Sequence, residues 1–120
     1  MSDDTIIMDE EVIKDLREAL NKKFNIMLEY FIEDSATYMS KIKEGIKDNN
    51  VKKIISASHP LKSSSRQVGA MLLGKLSEYI ELRSRELEET GGSLAELNEN
   101  VIELEAVLEK TLVEYKKILI

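Results

Sequence analysis

The sequence contains no cysteine and no tryptophan, and it has one histidine and one proline among its 120 residues. The lack of cysteine excludes a disulfide, a thiol nucleophile and a thiolate metal site, and a single histidine argues against a transition-metal site. No apolar run approaches the roughly 20 residues that a membrane helix requires. The acidic first residues lack the basic start and apolar core of a signal peptide. We therefore expect a cytoplasmic protein with no metal, no cofactor of its own and no membrane segment.

The few glycines and aromatic residues favour helices over sheets. There are five glycines, and aromatic residues make up 5% of the chain, whereas hydrophobic residues make up 42% and charged residues 33%. Glutamate, lysine, leucine and isoleucine dominate, and these residues favour helix. The length suits one domain with a single core. We predict one domain over residues 1–120, with a short flexible N-terminus of about residues 1–8.

The net charge of −6 argues against nucleic-acid binding, but the charge is unevenly distributed. Residues 41–66 contain seven basic and two acidic residues, a local charge of +5. Residues 86–114 contain nine glutamates and one lysine, a local charge of −8. The basic stretch predicts an acidic partner or an anionic group. The alternative, two ordinary solvated faces, is left open by charge alone.

Apolar residues recur at steps of three and four along five segments, which predicts five helices and no strand. The predicted helices cover residues 9–21, 22–48, 51–68, 70–89 and 94–119. Gly69 and the Gly91-Gly92 pair separate the later segments. Ser93 and Glu96 match a capping box, and the last segment has an almost heptad spacing. We predict an all-α fold, an up-and-down four-helix bundle with an additional short N-terminal helix.

His59 lies in the middle of the third segment, on the side away from the predicted core. On a helical wheel, the apolar and small residues Ile54, Ala57 and Leu61 lie opposite His59. The residues that share its side are mostly basic or polar: Lys52, Ile55, Ser56, Lys62, Ser63 and Arg66. His59 is therefore predicted to lie on a wet, basic face rather than in the core.

A neutral imidazole on such a face can accept a phosphoryl group as a nucleophile. Lys62, one turn later, can neutralise the phosphoryl oxygens, and Arg66 is the second cation in line. Ser56 and Ser63 can donate hydrogen bonds, and Ile55 can form a docking contact. The segment contains no evident carboxylate that would orient the imidazole. Hydrolysis by His59 with a neighbouring serine is therefore weakly supported.

Residues 58–73, SHPLKSSSRQVGAMLL, follow the pattern A-H-x-L-K-G-S-S-x-x-hydrophobic-G-A-x-x-L. This stretch resembles the histidine-containing phosphotransfer (HPt) family of phosphorelays, whose fold is a four-helix bundle with an extra N-terminal helix. The resemblance implies that Nε2 of His59 is phosphorylated, that Lys62 neutralises charge, and that Gly69 supports the site. It also implies no ATP binding, and partners among response-regulator receiver domains or hybrid sensor histidine kinases. Mg²⁺ would then be supplied by the receiver domain.

Two residues of this stretch bear on the site. Ser63 stands where glycine is commonest, and Pro60 follows the histidine. Because proline removes a helical hydrogen bond to the carbonyl of Ser56, we predict a bend with that carbonyl turned to solvent. The alternative is a helix that starts afresh near Ser58, with Pro60 in its first turn.

Two other functions stay open at this point. The chain could be a non-catalytic adaptor that docks receiver domains without accepting phosphate, or a structural bundle that dimerises through its last helix. We expect a monomer. Ile32 and Met39 are candidate docking residues outside the third helix.

Overall fold

Residues 4–119, which the computed structural model describes, form five α-helices and two short 3₁₀ turns. The α-helices are α1 (Glu10–Leu20), α2 (Phe24–Lys47), α3 (Val51–Gln67), α4 (Met71–Thr90) and α5 (Asn98–Lys117), and the 3₁₀ turns are Asn21–Lys23 and Leu94–Leu97. Helices α2 to α5 surround a common core. Helix α3 packs against α2 and α4, and α5 also packs against α2 and α4. This confirms the predicted four-helix bundle with a short N-terminal helix. None of the helices within these residues is long and apolar enough to cross a membrane.

The core is formed by the apolar stripes that the periodicity predicts. The near-heptad stripe of α5 and its preceding turn faces the inside of the bundle, where Leu97, Leu104 and Tyr115 are fully buried. The Tyr115 hydroxyl donates to the carbonyl of Val68, and its ring lies 5.2 Å from the ring of Phe31. Because this stripe is used within the chain, it is not free to form the dimer interface considered above.

The segment before α1 packs against the bundle. The Ile6 carbonyl accepts a hydrogen bond of 2.9 Å from the Leu72 amide, and Ile7 and Met8 are partly buried against the core. The prediction of a flexible N-terminus through residue 8 is therefore too long. Residues 1–3, which that prediction also covers, lie outside the described residues.

The connection between α4 and α5 differs from the predicted capping box. Gly91 ends α4 in the left-handed conformation, as predicted. Ser93 accepts a hydrogen bond from the Ala95 amide, but the Glu96 carboxylate pairs with Arg83 on α4. The residues after Ser93 therefore form a 3₁₀ turn before α5 begins.

Gly69 lies in the turn between α3 and α4, where both its conformation and its surroundings require glycine. Its φ is +85°, and a Cβ there would lie 3.1 Å from the carbonyl oxygen of Asp9 and from Cβ of Val12. Its carbonyl accepts the Asp9 amide at 2.8 Å. Gly69 thus joins the start of α1 to the α3–α4 turn.

Replacing Gly69 with alanine should lower the free energy of unfolding by about 2 kcal/mol, because it adds backbone strain and crowds α1. Gly91→Ala is the matched control: its φ is also positive, at +70°, but nothing lies within 4 Å of the added Cβ. That variant should lose only about 1 kcal/mol. Urea unfolding monitored by circular dichroism compares the two, and equal losses would contradict the proposed contact with α1.

Candidate functional site

Helix α3 carries His59 on its exposed face. The Asn50 side chain caps the helix by accepting a hydrogen bond of 3.1 Å from the Lys53 amide. The helix then continues without interruption from Val51 to Gln67, with Pro60 inside it. A fresh helix start near Ser58 is therefore excluded, while the bend remains a prediction. The His59 side chain is 57% exposed, which confirms that it lies outside the core.

Helix α4 places a buried carboxylate beside this histidine. The Glu81 side chain is only 4% exposed, and its Oε2 lies 2.9 Å from Nδ1 of His59. Lys62 forms an ion pair with Oε1 of the same carboxylate at 2.9 Å. Arg85, one turn along α4, places Nη2 2.8 Å and Nε 3.2 Å from Oε2. The Glu81 carboxylate therefore binds side chains from both α3 and α4.

The sequence does not reveal Glu81 as the partner of His59. The signal in the sequence is weak: Glu81 lies four residues after Ser77 and three before Ser84, which places it on the same side of the helix as these small residues. Helix α3 has no carboxylate that orients the ring; the carboxylate comes from α4. The site therefore contains the acid partner that the sequence did not reveal.

The pKa of Glu81 determines which ring nitrogen of His59 carries the proton. Burial alone would raise this pKa, but Lys62, Arg85 and His59 outweigh burial and hold it at about 2. Glu81 is therefore a carboxylate at neutral pH and can only accept a hydrogen bond. It follows that Nδ1 of His59 donates to Glu81, which leaves the lone pair of the neutral ring on Nε2.

Arg66, predicted as a second cation for the histidine, has its own partner. Its Nη1 lies 2.9 Å from Oε2 of Glu78, and this contact lowers the pKa of Glu78. A Cβ at Gly74 would lie 2.8 Å from Cγ of Arg66, so this glycine leaves room for the arginine side chain. The structure thus places Arg66 against α4 in a separate ion pair.

The sequence model of the Hpt domain family matches residues 26–107. The chain belongs to the Hpt domain family. In the search of solved structures, the chain is similar to the crystal structure of histidine-containing phosphotransfer protein B (HptB) from Pseudomonas aeruginosa PAO1, with a TM-score of 0.84, 19% sequence identity and 92% of each chain covered. At this identity the match demonstrates the fold. No curated protein sequence matches the chain significantly.

Within this Hpt domain, three of the other predicted residues lie on the exposed side of α3. Ser56 and Ser63 are exposed and Ile55 is half-buried. The Ser56 hydroxyl donates to the carbonyl of Lys53 at 3.0 Å, and that of Ser63 to the carbonyl of His59 at 3.4 Å. Both serine hydroxyls therefore donate to backbone carbonyls of their own helix.

The remaining predicted positions are not part of this surface. Gly69 is buried in the turn between α3 and α4, beyond the end of the helix, where it supports α1. Met39 is only 4% exposed, so it is wrong as a docking residue, while Ile32 is half-buried. Within residues 4–119, no group of three or more imidazole or carboxylate side chains is arranged to hold a metal ion. The candidate site is therefore the exposed face of α3 around His59, together with Glu81 and Arg85 of α4.

Proposed function

We propose that this Hpt domain is a phosphorelay intermediate that accepts a phosphoryl group on Nε2 of His59. The observation that carries the proposal is the exposed His59 whose Nδ1 donates to the buried, ionised Glu81. Such a pair leaves one nitrogen nucleophilic and directed away from the carboxylate. The donor is an aspartyl phosphate on a response-regulator receiver domain or on the receiver of a hybrid sensor histidine kinase, and the acceptor is a second receiver aspartate.

In the uptake step, the Nε2 lone pair attacks phosphorus, the Nε2–P bond forms, and the P–O bond to the aspartate breaks. The aspartate leaves as a carboxylate with the electron pair. The proton on Nδ1 stays in place, so positive charge develops on the ring next to Glu81 Oε2, 2.9 Å away. Because Glu81 is already ionised and fixed, it stabilises this charge without reorganisation. The reverse sequence delivers the group to the next aspartate.

Lys62 and the receiver domain supply the remaining electrostatic stabilisation. Lys62 lies one helical turn after His59 and its side chain is 21% exposed, so its ammonium can reach the phosphoryl oxygens from its place beside Glu81. Mg²⁺ belongs to the receiver domain. The basic stretch around α3 complements the acidic surroundings of a receiver aspartate, which favours encounter of the two domains.

Incubation with phosphorylated receiver domains tests the proposal. Transfer should label the chain with a group that is labile in acid and stable in alkali, as a phosphoramidate bond is. A receiver that binds without transferring label would instead support the non-catalytic adaptor. A label stable in acid would place the phosphoryl group on a hydroxyl and contradict the proposal.

Lys62→Ala should slow phosphoryl transfer in both directions by roughly 10- to 100-fold, because it removes a cation from the transferred group. Rapid-quench kinetics with a saturating receiver domain measure the transfer step apart from binding. Lys52→Ala is the matched control, since Lys52 is an exposed lysine on the same face of α3. Equal slowing in the two variants would indicate that the overall positive charge of the face matters, rather than the position of Lys62.

A further inference from the structure

Two basic side chains form ion pairs with the single carboxylate of Glu81. These are the side chains of Lys62 and Arg85, and His59 donates a hydrogen bond to the same carboxylate. A buried carboxylate requires one cation for charge balance. The cluster of Glu81, Lys62 and Arg85 therefore carries a surplus of one positive charge beside the imidazole.

Arg85 is the more available of the two cations. Its side chain is 52% exposed, compared with 21% for Lys62. It uses Nε and Nη2 to reach Glu81, and because a guanidinium has five N–H donors, others remain for a second acceptor. Its contacts are to Oε2, the same oxygen that accepts Nδ1 of His59. The guanidinium and the imidazole are thus neighbours across the α3–α4 interface.

Arg66 does not have this relation to the histidine. Its partner Glu78 is a different carboxylate, and that pair is balanced, one charge against one. The surplus charge at His59 therefore resides with Lys62 and Arg85.

We propose that Arg85 is a phosphoryl-binding residue, which turns from Glu81 to the phosphoryl oxygens when His59 is phosphorylated. Lys62 keeps its contact with Glu81 Oε1 while it faces the phosphoryl oxygens, so the carboxylate retains a cation and the new dianion gains Arg85 as a second one. The phosphoryl group is held from both helices, since His59 belongs to α3 and Arg85 to α4. This inference rests on the proposed function of His59.

The test is a ³¹P NMR titration of the phosphorylated full-length chain. Phosphoramidate serves as the donor: Nε2 attacks phosphorus, the P–N bond of the reagent breaks, and ammonia leaves. A cation in contact with the phosphoryl group favours its dianion. Loss of Arg85 in Arg85→Ala should therefore raise the pKa of the phosphoryl group by about one unit. Arg85→Lys should give an intermediate phosphoryl pKa, because lysine keeps the positive charge but lacks the planar guanidinium group with its several donors.

Arg83→Ala is the matched control, since Arg83 lies on the same helix and pairs with Glu96 and Glu86 instead. It should leave the phosphoryl titration unchanged. A thermal unfolding curve close to the wild type separates this effect from a loss of structure. If Arg85→Ala is labelled and titrates like the wild type, the inference is wrong while the proposed function stands. If the wild type forms no phosphohistidine, the proposed function is wrong, and this inference with it.

Discussion

His59→Gln should abolish the acid-labile label completely while leaving the fold nearly intact. In the proposed reaction His59 supplies the nucleophilic nitrogen, and an amide has no lone pair of comparable reactivity. The glutamine amide can still donate to Glu81, which also retains Lys62 and Arg85. Because the native side chain is largely exposed, little packing is lost. The measurements are label incorporation from a phosphorylated receiver domain, and thermal unfolding of the same samples.

Gln67→Ala controls for a generic effect of changing α3, since Gln67 is exposed at the C-terminal end of that helix. This variant should be labelled at the wild-type rate. Label of the same acid lability in His59→Gln would show that another group is the acceptor. A His59→Gln variant that binds receiver domains with wild-type affinity would separate docking from phosphoryl acceptance.

The position of His59 could be predicted because it depends on one helix alone. A helix with Ile54, Ala57 and Leu61 in the core must expose the opposite side, whatever packs against it. The helical periodicity likewise predicts the order of the elements, since each amphipathic segment must bury its stripe. Local pattern is sufficient for the fold and for the exposure of His59.

The partners of His59 and Arg66 could not be predicted in the same way. Glu81 is 22 residues from His59, and their contact depends on how far α4 slides along α3. That register depends on how the side chains of the two helices interdigitate, which the pattern of one helix does not determine. A helical wheel gives the direction in which a side chain points, but it does not identify the residue of another helix that the side chain contacts. Glu96 is a similar case, because its pairing with Arg83 on α4 replaces the capping contact expected from local sequence.

Glu81→Gln should lower both the stability of the domain and the rate of phosphoryl transfer. The Glu81 pKa falls from an ordinary value of 4.5 to about 2 in the folded chain. A group with a depressed folded pKa stabilises the fold above its unfolded pKa, and this contribution is lost as the pH falls toward the folded value. The shift corresponds to about 3 kcal/mol at neutral pH. Glutamine removes this term and leaves Lys62 and Arg85 without their shared counter-ion.

Urea unfolding at several pH values measures the effect. The wild type should exceed Glu81→Gln by about 3 kcal/mol at pH 7, and the difference should shrink as the pH falls from about 4.5 toward about 2. A difference that persists unchanged at low pH would mean that the amide disturbs packing, and that the charge of Glu81 contributes little.

Glu78→Gln is the matched control for both readouts. Glu78 lies one turn before Glu81 on the same helix and pairs with an arginine of α3, but its side chain is 39% exposed. Because an exposed pair is screened by water, its removal should cost at most about 1 kcal/mol. Its removal should also leave transfer unchanged, since Glu78 pairs with Arg66 and the ring of His59 pairs with Glu81. Transfer should be roughly tenfold or more slower in Glu81→Gln alone, because only there does the ring lose the charge that stabilises its cationic phosphorylated form.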